Sequence, residues 1–260
     1  MGDLVKEIVE LYKRVSYNLP TDVESALKKV DEDILDNIEL AKDTSPLCQD
    51  TGLPIFFIKK GKHDEKELRE IINKATRIAT KEVPLRPNSV DSITGENSED
   101  NTGINIPEIH FEESEDLKIT LLMKGGGCEN TGMLYSLPSN GAERDLEGIR
   151  RVVLDAVVNA QGKWCPPGII GVAIGGSRSA VTKESKKQTL RKLDDKNEDL
   201  VLYELEKELT KEINTLGIGV TGMGGKTTCL GVKIKSLHRH PASFFVDVSF
   251  LCWAARKGDL

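Results

Sequence analysis

Short apolar runs, each bounded by turn residues and separated by segments of helical spacing, narrow the possible folds most. Runs at 53–58, 117–123, 169–174, 229–234 and 244–250 have the length and the aromatic or β-branched content of buried strands. Between them, apolar residues recur every three or four positions. Leu4, Ile8, Leu11 and Val15 mark one helix, Leu68, Ile71, Ile72, Ala75 and Ile78 a second, and Leu146, Ile149, Val153, Val157 and Ala160 a third. Further helices are predicted over about 179–190 and along Leu202, Leu205, Leu209, Ile213 and Leu216. Thr21 and Glu24 read as a capping box after Pro20, and Asp33, Ile34, Ile38 and Ala41 predict another helix, so the first 45 residues read as helical. The expected fold is mixed α and β: a helical N-terminal region followed by α/β layers with a mixed sheet, forming one domain over residues 1–260. Between Pro84 and Asp116 no period is visible, and a loop of that length in a compact domain reads as functional or disordered.

Charge and composition remove several classes. Lys and Arg number 36 against 42 Asp and Glu, a formal charge of −6, and aromatics are 5 % of the chain. That balance argues against a dedicated nucleic-acid binder, whose affinity comes largely from clustered cations on phosphates. No apolar run approaches the ~20 residues of a membrane span, and the charged N-terminus lacks a signal-peptide pattern, so a cytoplasmic small-molecule protein is expected.

Glycine patterns offer two nucleotide readings, and both fail. Gly217, Gly219 and Gly222 satisfy GxGxxG, but a helix precedes them and a strand follows, the reverse of the dinucleotide unit. They read as a helix C-cap and turn. Gly225-Lys226-Thr227 ends like a phosphate loop, yet Val220 stands where that loop needs glycine. Lys124-Gly125-Gly126-Gly127, closing a predicted strand, reads instead as a ligand-facing loop with exposed backbone N–H groups.

Five cysteines, none in a CxxC pair, describe neither a disulfide framework nor a zinc ribbon. Three of them occupy junctions: Cys48 in a turn with Asp50 close by, Cys165 before two prolines, and Cys252 at the end of the last predicted strand. Their spacing leaves convergence open. A three-thiolate site would suit zinc or an iron–sulfur cluster, with one position open for Lewis-acid chemistry.

Six blocks in order then carry a resemblance. They are Cys48-Gln49-Asp50-Thr51-Gly52, Pro84-Leu85-Arg86-Pro87-Asn88, Asn101-Thr102-Gly103, Lys124-Gly125-Gly126-Gly127-Cys128, Asn159-Ala160 with Cys165-Pro166-Pro167, and His240-Pro241-Ala242-Ser243 with Cys252-Trp253-Ala254. From about residue 5 onward the chain resembles the α subunit of class I fumarate hydratase and L-tartrate dehydratase. The resemblance implies a [4Fe–4S] cluster on Cys48, Cys165 and Cys252 with one iron open to substrate, and leaves Cys128 and Cys229 as structural residues. It implies Gln49, Arg86, Gly126 and His240 around a small dicarboxylate, and Asp50 among the proton-transfer groups. The implied activity is the hydro-lyase hydration of fumarate to malate, a tricarboxylic acid cycle step, with tartrate dehydration or a non-catalytic metal-binding scaffold as alternatives. A methylated fumarate also remains open. The family's base for the carbon-bound proton lies in a second domain, so the chain's length implies a separate β subunit, an α homodimer and an α2β2 heterotetramer.

Overall fold

The computed structural model describes residues 2–30, 36, 38, 39, 44–139 and 141–260. Helices are α1 (Gly2–Tyr17), α2 (Thr21–Leu27), α3 (Glu65–Glu82), α4 (Gly126–Asn130), α5 (Leu146–Ala160), α6 (Arg178–Gln188) and α7 (Leu200–Thr215). Strands are β1 (Leu53–Lys60), β2 (Glu108–Glu112), β3 (Leu117–Lys124), β4 (Met133–Ser136), β5 (Gly168–Ile174), β6 (Cys229–Ser236), β7 (Phe245–Leu251) and β8 (Lys257–Asp259). The helix predicted through Asp33, Ile34 and Ala41 lies largely outside the described residues. The architecture is mixed α and β, helical at its start, with two mixed four-stranded sheets. No helix among the described residues is long and apolar enough to cross a membrane.

Two compact units divide the chain: Met1–Pro20, Glu32–Gly126 and Arg256–Leu260 form the first, Thr21–Asp31 and Gly127–Ala255 the second. In the first, the sheet order is β2-β1-β3-β8, with β1 parallel to β2 and antiparallel to β3. Ile8, Leu11, Tyr12 and Val15 of α1 and Leu68, Ile72, Ala75 and Ala79 of α3 share a core with Phe56, Ile58, Ile119 and Leu121. The helical period puts these side chains on one stripe, and the strand period puts theirs on one face. Buried Tyr12 keeps its hydroxyl satisfied by Thr76 Oγ1 at 2.8 Å. Asp64 caps α3 by accepting from the N–H groups of Lys66 and Glu67.

In the second unit the order is β4-β7-β5-β6, with β5 parallel to β6 and antiparallel to β7. Every residue of β5 is buried, as a strand covered on both faces requires. Ile170, Val172 and Ile174 join the core made with α5 and α7, whereas Gly171 meets Ser185 and Thr189 at the end of α6. Asp145, Ser177 and Asp199 cap α5, α6 and α7 with side-chain acceptors.

A charged network joins α7 to the strand beside it. Arg191 pairs with Asp195 at 2.8 Å and Glu206 at 2.7 Å, and the buried Lys233 ammonium pairs with Asp195 at 2.6 Å. Burial alone would raise the proton affinity of Asp195, but the hydrogen bonds and charges of Arg191 and Lys233 outweigh it and hold the carboxyl below its ordinary range. A depressed folded-state value gives stability that is complete above the unfolded carboxyl pKa of roughly 4 and is lost as pH falls through the lowered one. Urea midpoints followed downward from neutral pH should therefore drop more steeply for the wild type than for Asp195→Asn.

Candidate functional site

Within the first unit, the turn preceding β1 brings chemistry-bearing residues together. Asp50 accepts from Gly52 N–H through Oδ1 at 3.0 Å and from Gly126 N–H through Oδ2 at 2.8 Å. Both carboxylate oxygens are thus fixed by backbone, one local and one from the end of β3. Gly52 allows this turn: its φ is +88°, and a Cβ there would lie 2.7 Å from the Met123 carbonyl carbon. Cys48 is partly exposed and Gln49 exposed beside it.

The long aperiodic segment is organised around this turn by side-chain hydrogen bonds. Thr51 Oγ1 accepts from Arg86 N–H at 3.0 Å, and Asn88 Nδ2 donates to Gly52 O at 3.1 Å. Asn101, 2 % exposed, is the hub. Its Oδ1 accepts from Asn88 N–H at 2.7 Å, and its Nδ2 donates to Arg86 O at 3.0 Å and Thr80 Oγ1 at 3.1 Å. Asp100 bonds the N–H and hydroxyl of Thr102, whose carbonyl accepts from Ser89 Oγ. Thr51 and Asn101 therefore hold the backbone of Arg86, Asn88 ties the segment to Gly52, and the Arg86 side chain is left exposed.

Past β3, the expected glycine loop is partly a helix. Gly125 is buried, and Gly126 opens the short α4 with its N–H already engaged by Asp50. Gly126 thus offers an exposed, side-chain-free surface rather than a vacant donor. A Cβ on Gly125 would stand 3.1 Å from Asp50 Oδ2 and 3.3 Å from Nη2 of Arg256. Arg256 is buried, and its backbone carbonyl accepts from Met123 N–H at 2.9 Å. Arg256 lies two residues beyond the last motif block and has no signal of its own in the sequence, since its backbone is placed by pairing with β3.

Within the second unit, Cys165 and Cys252 lie on neighbouring backbones: Trp253 N–H donates to Cys165 O at 3.3 Å. Cys165 is exposed and left-handed, at φ 55° and ψ 62°, a conformation uncommon outside glycine and concentrated at functional sites. Trp164, fully buried and 5.0 Å from the Phe250 ring, anchors one side of it. Pro166 O, accepting from Thr221 N–H at 2.8 Å, ties the other side to the glycine-rich turn. That turn begins with Gly217 at φ +68°, just past the α7 C-cap Leu216, so the GxGxxG glycines do end a helix.

His240 is exposed in a loop clasped by two arginines. Arg144 donates to the carbonyls of Leu137, Pro241 and Ala242, and Arg239 to those of His240, Pro241 and Ser243. His240 Nδ1 accepts from Ala242 N–H at 3.1 Å, which leaves the proton of the neutral ring on Nε2.

The remaining cysteines are occupied differently. Cys128 is buried and donates through Sγ to Trp164 O at 3.4 Å. Burial pushes the Cys229 thiol up to about 12, so it stays protonated. Among the described residues, no group of three or more His, Cys, Asp or Glu side chains stands assembled as a metal site. Fit to a thiolate-held group therefore rests on donor chemistry, and Cys48, Cys165 and Cys252 supply it: all three are free thiols at strand or loop junctions, Cys48 partly exposed and Cys165 exposed, with Cys165 and Cys252 on adjacent backbones.

Comparison with known proteins gives these residues a context. The family described as fumarate hydratase (Fumerase) matches residues 5–260. A Geobacillus stearothermophilus protein named "Putative fumarate hydratase class I" is 44 % identical over 99 % of this chain and 54 % of its own length. The chain thus spans about half of that relative. A Methanocaldococcus jannaschii protein named "Putative L(+)-tartrate dehydratase subunit alpha" is 41 % identical over 96 % of this chain and 94 % of its own. The L(+)-tartrate dehydratase subunit alpha of Escherichia coli is 33 % identical over 100 % of this chain and 91 % of its own.

Proposed function

The chain belongs to the fumarate hydratase (Fumerase) family, and we propose that within it the chain is the α subunit of an iron–sulfur hydro-lyase that reversibly hydrates fumarate to malate. The observation that carries this reading is the Asp50 carboxylate, fixed between Gly52 and Gly126 two residues from a candidate cluster ligand. In the proposal Cys48, Cys165 and Cys252 hold a [4Fe–4S] cluster, and residues 1–260 act as one functional domain in the cytoplasm. When bound, the cluster supplies a Lewis-acid iron with a position open to substrate oxygen.

The chain's own residues do the rest of its share. Arg86, its backbone clamped by Thr51 and Asn101, presents a planar fork that matches one carboxylate of the substrate. His240 donates from Nε2, and Gln49 from its exposed amide. Gly126 lets the substrate approach backbone closely. Asp50 holds and returns the proton of the departing or arriving hydroxyl at Oδ2, because its orientation is set before substrate arrives. The base for the carbon-bound proton belongs to a β subunit, in an α2β2 assembly built on an α dimer. The names of the M. jannaschii and E. coli relatives, each a subunit alpha, support that partnership. Those same names support the second reading, L-tartrate dehydration.

The test is anaerobic reconstitution of iron and sulfide into the chain coexpressed with its β subunit, followed by two assays. Consumption of fumarate should exceed formation of oxaloacetate from L-tartrate by about tenfold or more, a difference the one extra hydroxyl can impose on a polar site. The chain alone should be inactive. Preference for tartrate would install the second reading, and a loaded complex inert towards both would make the subunit a scaffold.

A further inference from the structure

Arg256 is 2 % exposed, and its Nε and Nη1 have no hydrogen-bond partner among the described residues. A guanidinium cannot shed its proton in a protein, so this is a buried cation with unused donors, an arrangement that costs stability. Such a group asks for a purpose outside the fold's own bonding. Its position indicates one. Nη2 and Asp50 Oδ2 approach the same point, the place a Gly125 side chain would occupy, at 3.3 and 3.1 Å. Gly125 is therefore a gap through which the guanidinium and the carboxylate sense each other.

Asp50 poses an electrostatic problem if the turn receives a dicarboxylate. A carboxylate beside a dianion repels it, and the repulsion grows where water is excluded. The Asp50 oxygens already take backbone donors from Gly52 and Gly126, but those carry no net charge. We propose that Arg256 is a positioning residue: a buried counter-charge behind Gly125 that cancels the field of Asp50 and lets a dianionic substrate occupy the face Asp50 borders. It acts through space and touches no ligand. This inference rests on the substrate-facing role of the Asp50 turn given above.

Thermal unfolding of the full chain, read with and without small anions at constant ionic strength, tests it without turnover. Fumarate and succinate should raise the wild-type Tm, and acetate should not. Arg256→Met removes a cation whose Nε and Nη1 donors are unused but leaves Asp50 without its counter-charge; the two effects oppose, so its Tm without ligand should stay close to that of the wild type while the dianion shift disappears. Arg256→Lys should keep most of the shift, and Asp50→Asn combined with Arg256→Met should recover it, because both charges have gone. In the complex with β, Arg256→Met should raise KM about tenfold or more and change kcat less than about threefold, as a binding field rather than a chemical group would. Melting of Arg256→Met well below the wild type would make the residue a structural strut. An unchanged dianion shift in that variant, or none in the wild type, would also overturn the proposal. Failure of the hydro-lyase reading looks different: the dianion shift and its dependence on Arg256 persist, but the loaded complex hydrates nothing.

Discussion

Replacing Cys48, Cys165 or Cys252 by Ser is expected to abolish the visible thiolate-to-iron absorbance of the reconstituted chain, and with it all hydration by the complex with β. A serine hydroxyl is a harder and far less acidic donor than a thiol, so it does not replace thiolate sulfur on iron at neutral pH. The control substitutions separate this from damage to the fold. Cys128→Ser and Cys229→Ser bury a hydroxyl where a thiol packed, at a cost of about 1–3 kcal/mol each. The cost is larger for Cys229, whose sulfur is fully desolvated. Both should melt earlier yet retain the absorbance. Loss of colour in a control variant that remains folded, or its survival in Cys165→Ser, would refute the ligand assignment.

Asp50→Asn should lower kcat for hydration about 10²–10⁴-fold, the range expected when a positioned proton-transfer group is removed. The substitution is nearly isosteric, but an amide has one acceptor oxygen where the carboxylate has two. Either Gly52 N–H or Gly126 N–H then faces an amide NH2 and loses its bond, at a stability cost of about 1 kcal/mol. Equilibrium unfolding should register that small loss, and steady-state assays of the complex the large one. A kcat within threefold of the wild type would remove Asp50 from the chemistry.

How much the amino-acid sequence revealed depended on where each residue's partners lie. Strands β1, β3, β5, β6 and β7 were legible because each is a short, mostly apolar stretch with β-branched or aromatic residues. Strand β2, Glu108–Glu112, is only half-buried along its length, and β4 has four residues. Strand β8, Lys257–Asp259, contains no apolar side chain, and its structure is dictated by pairing with Thr120, Leu121 and Leu122 of β3. Of these three only β2 carries a local signal, the alternation of Ile109 and Phe111 with polar residues, and it is five residues long. The site divides in the same way. Cys48, Asp50 and Arg86 stood out through the motif blocks that contain them. Arg256 did not, because its burial follows from the β3 pairing and the space left by Gly125. The aperiodic segment read as a functional or disordered loop, but its order comes from side-chain amides bonding to backbone at irregular intervals, a code with no period.

That order has a chemical lifetime. Hydrolysis of the single amide of Asn101 would turn it into an aspartate, exchanging two donated hydrogens for an oxygen that can only accept. The carbonyl of Arg86 and the hydroxyl of Thr80, both now served by Nδ2, would each face a carboxylate in a buried place. Unlike a truncated core residue, such damage removes almost no volume and leaves the two cores untouched. An aged preparation would nevertheless melt earlier, because a carboxylate set against a carbonyl oxygen is costly where water is excluded, and the Arg86 segment would drift from the turn it is tied to. Deamidation at one interior position would register in storage as declining affinity and a lowered melting temperature together.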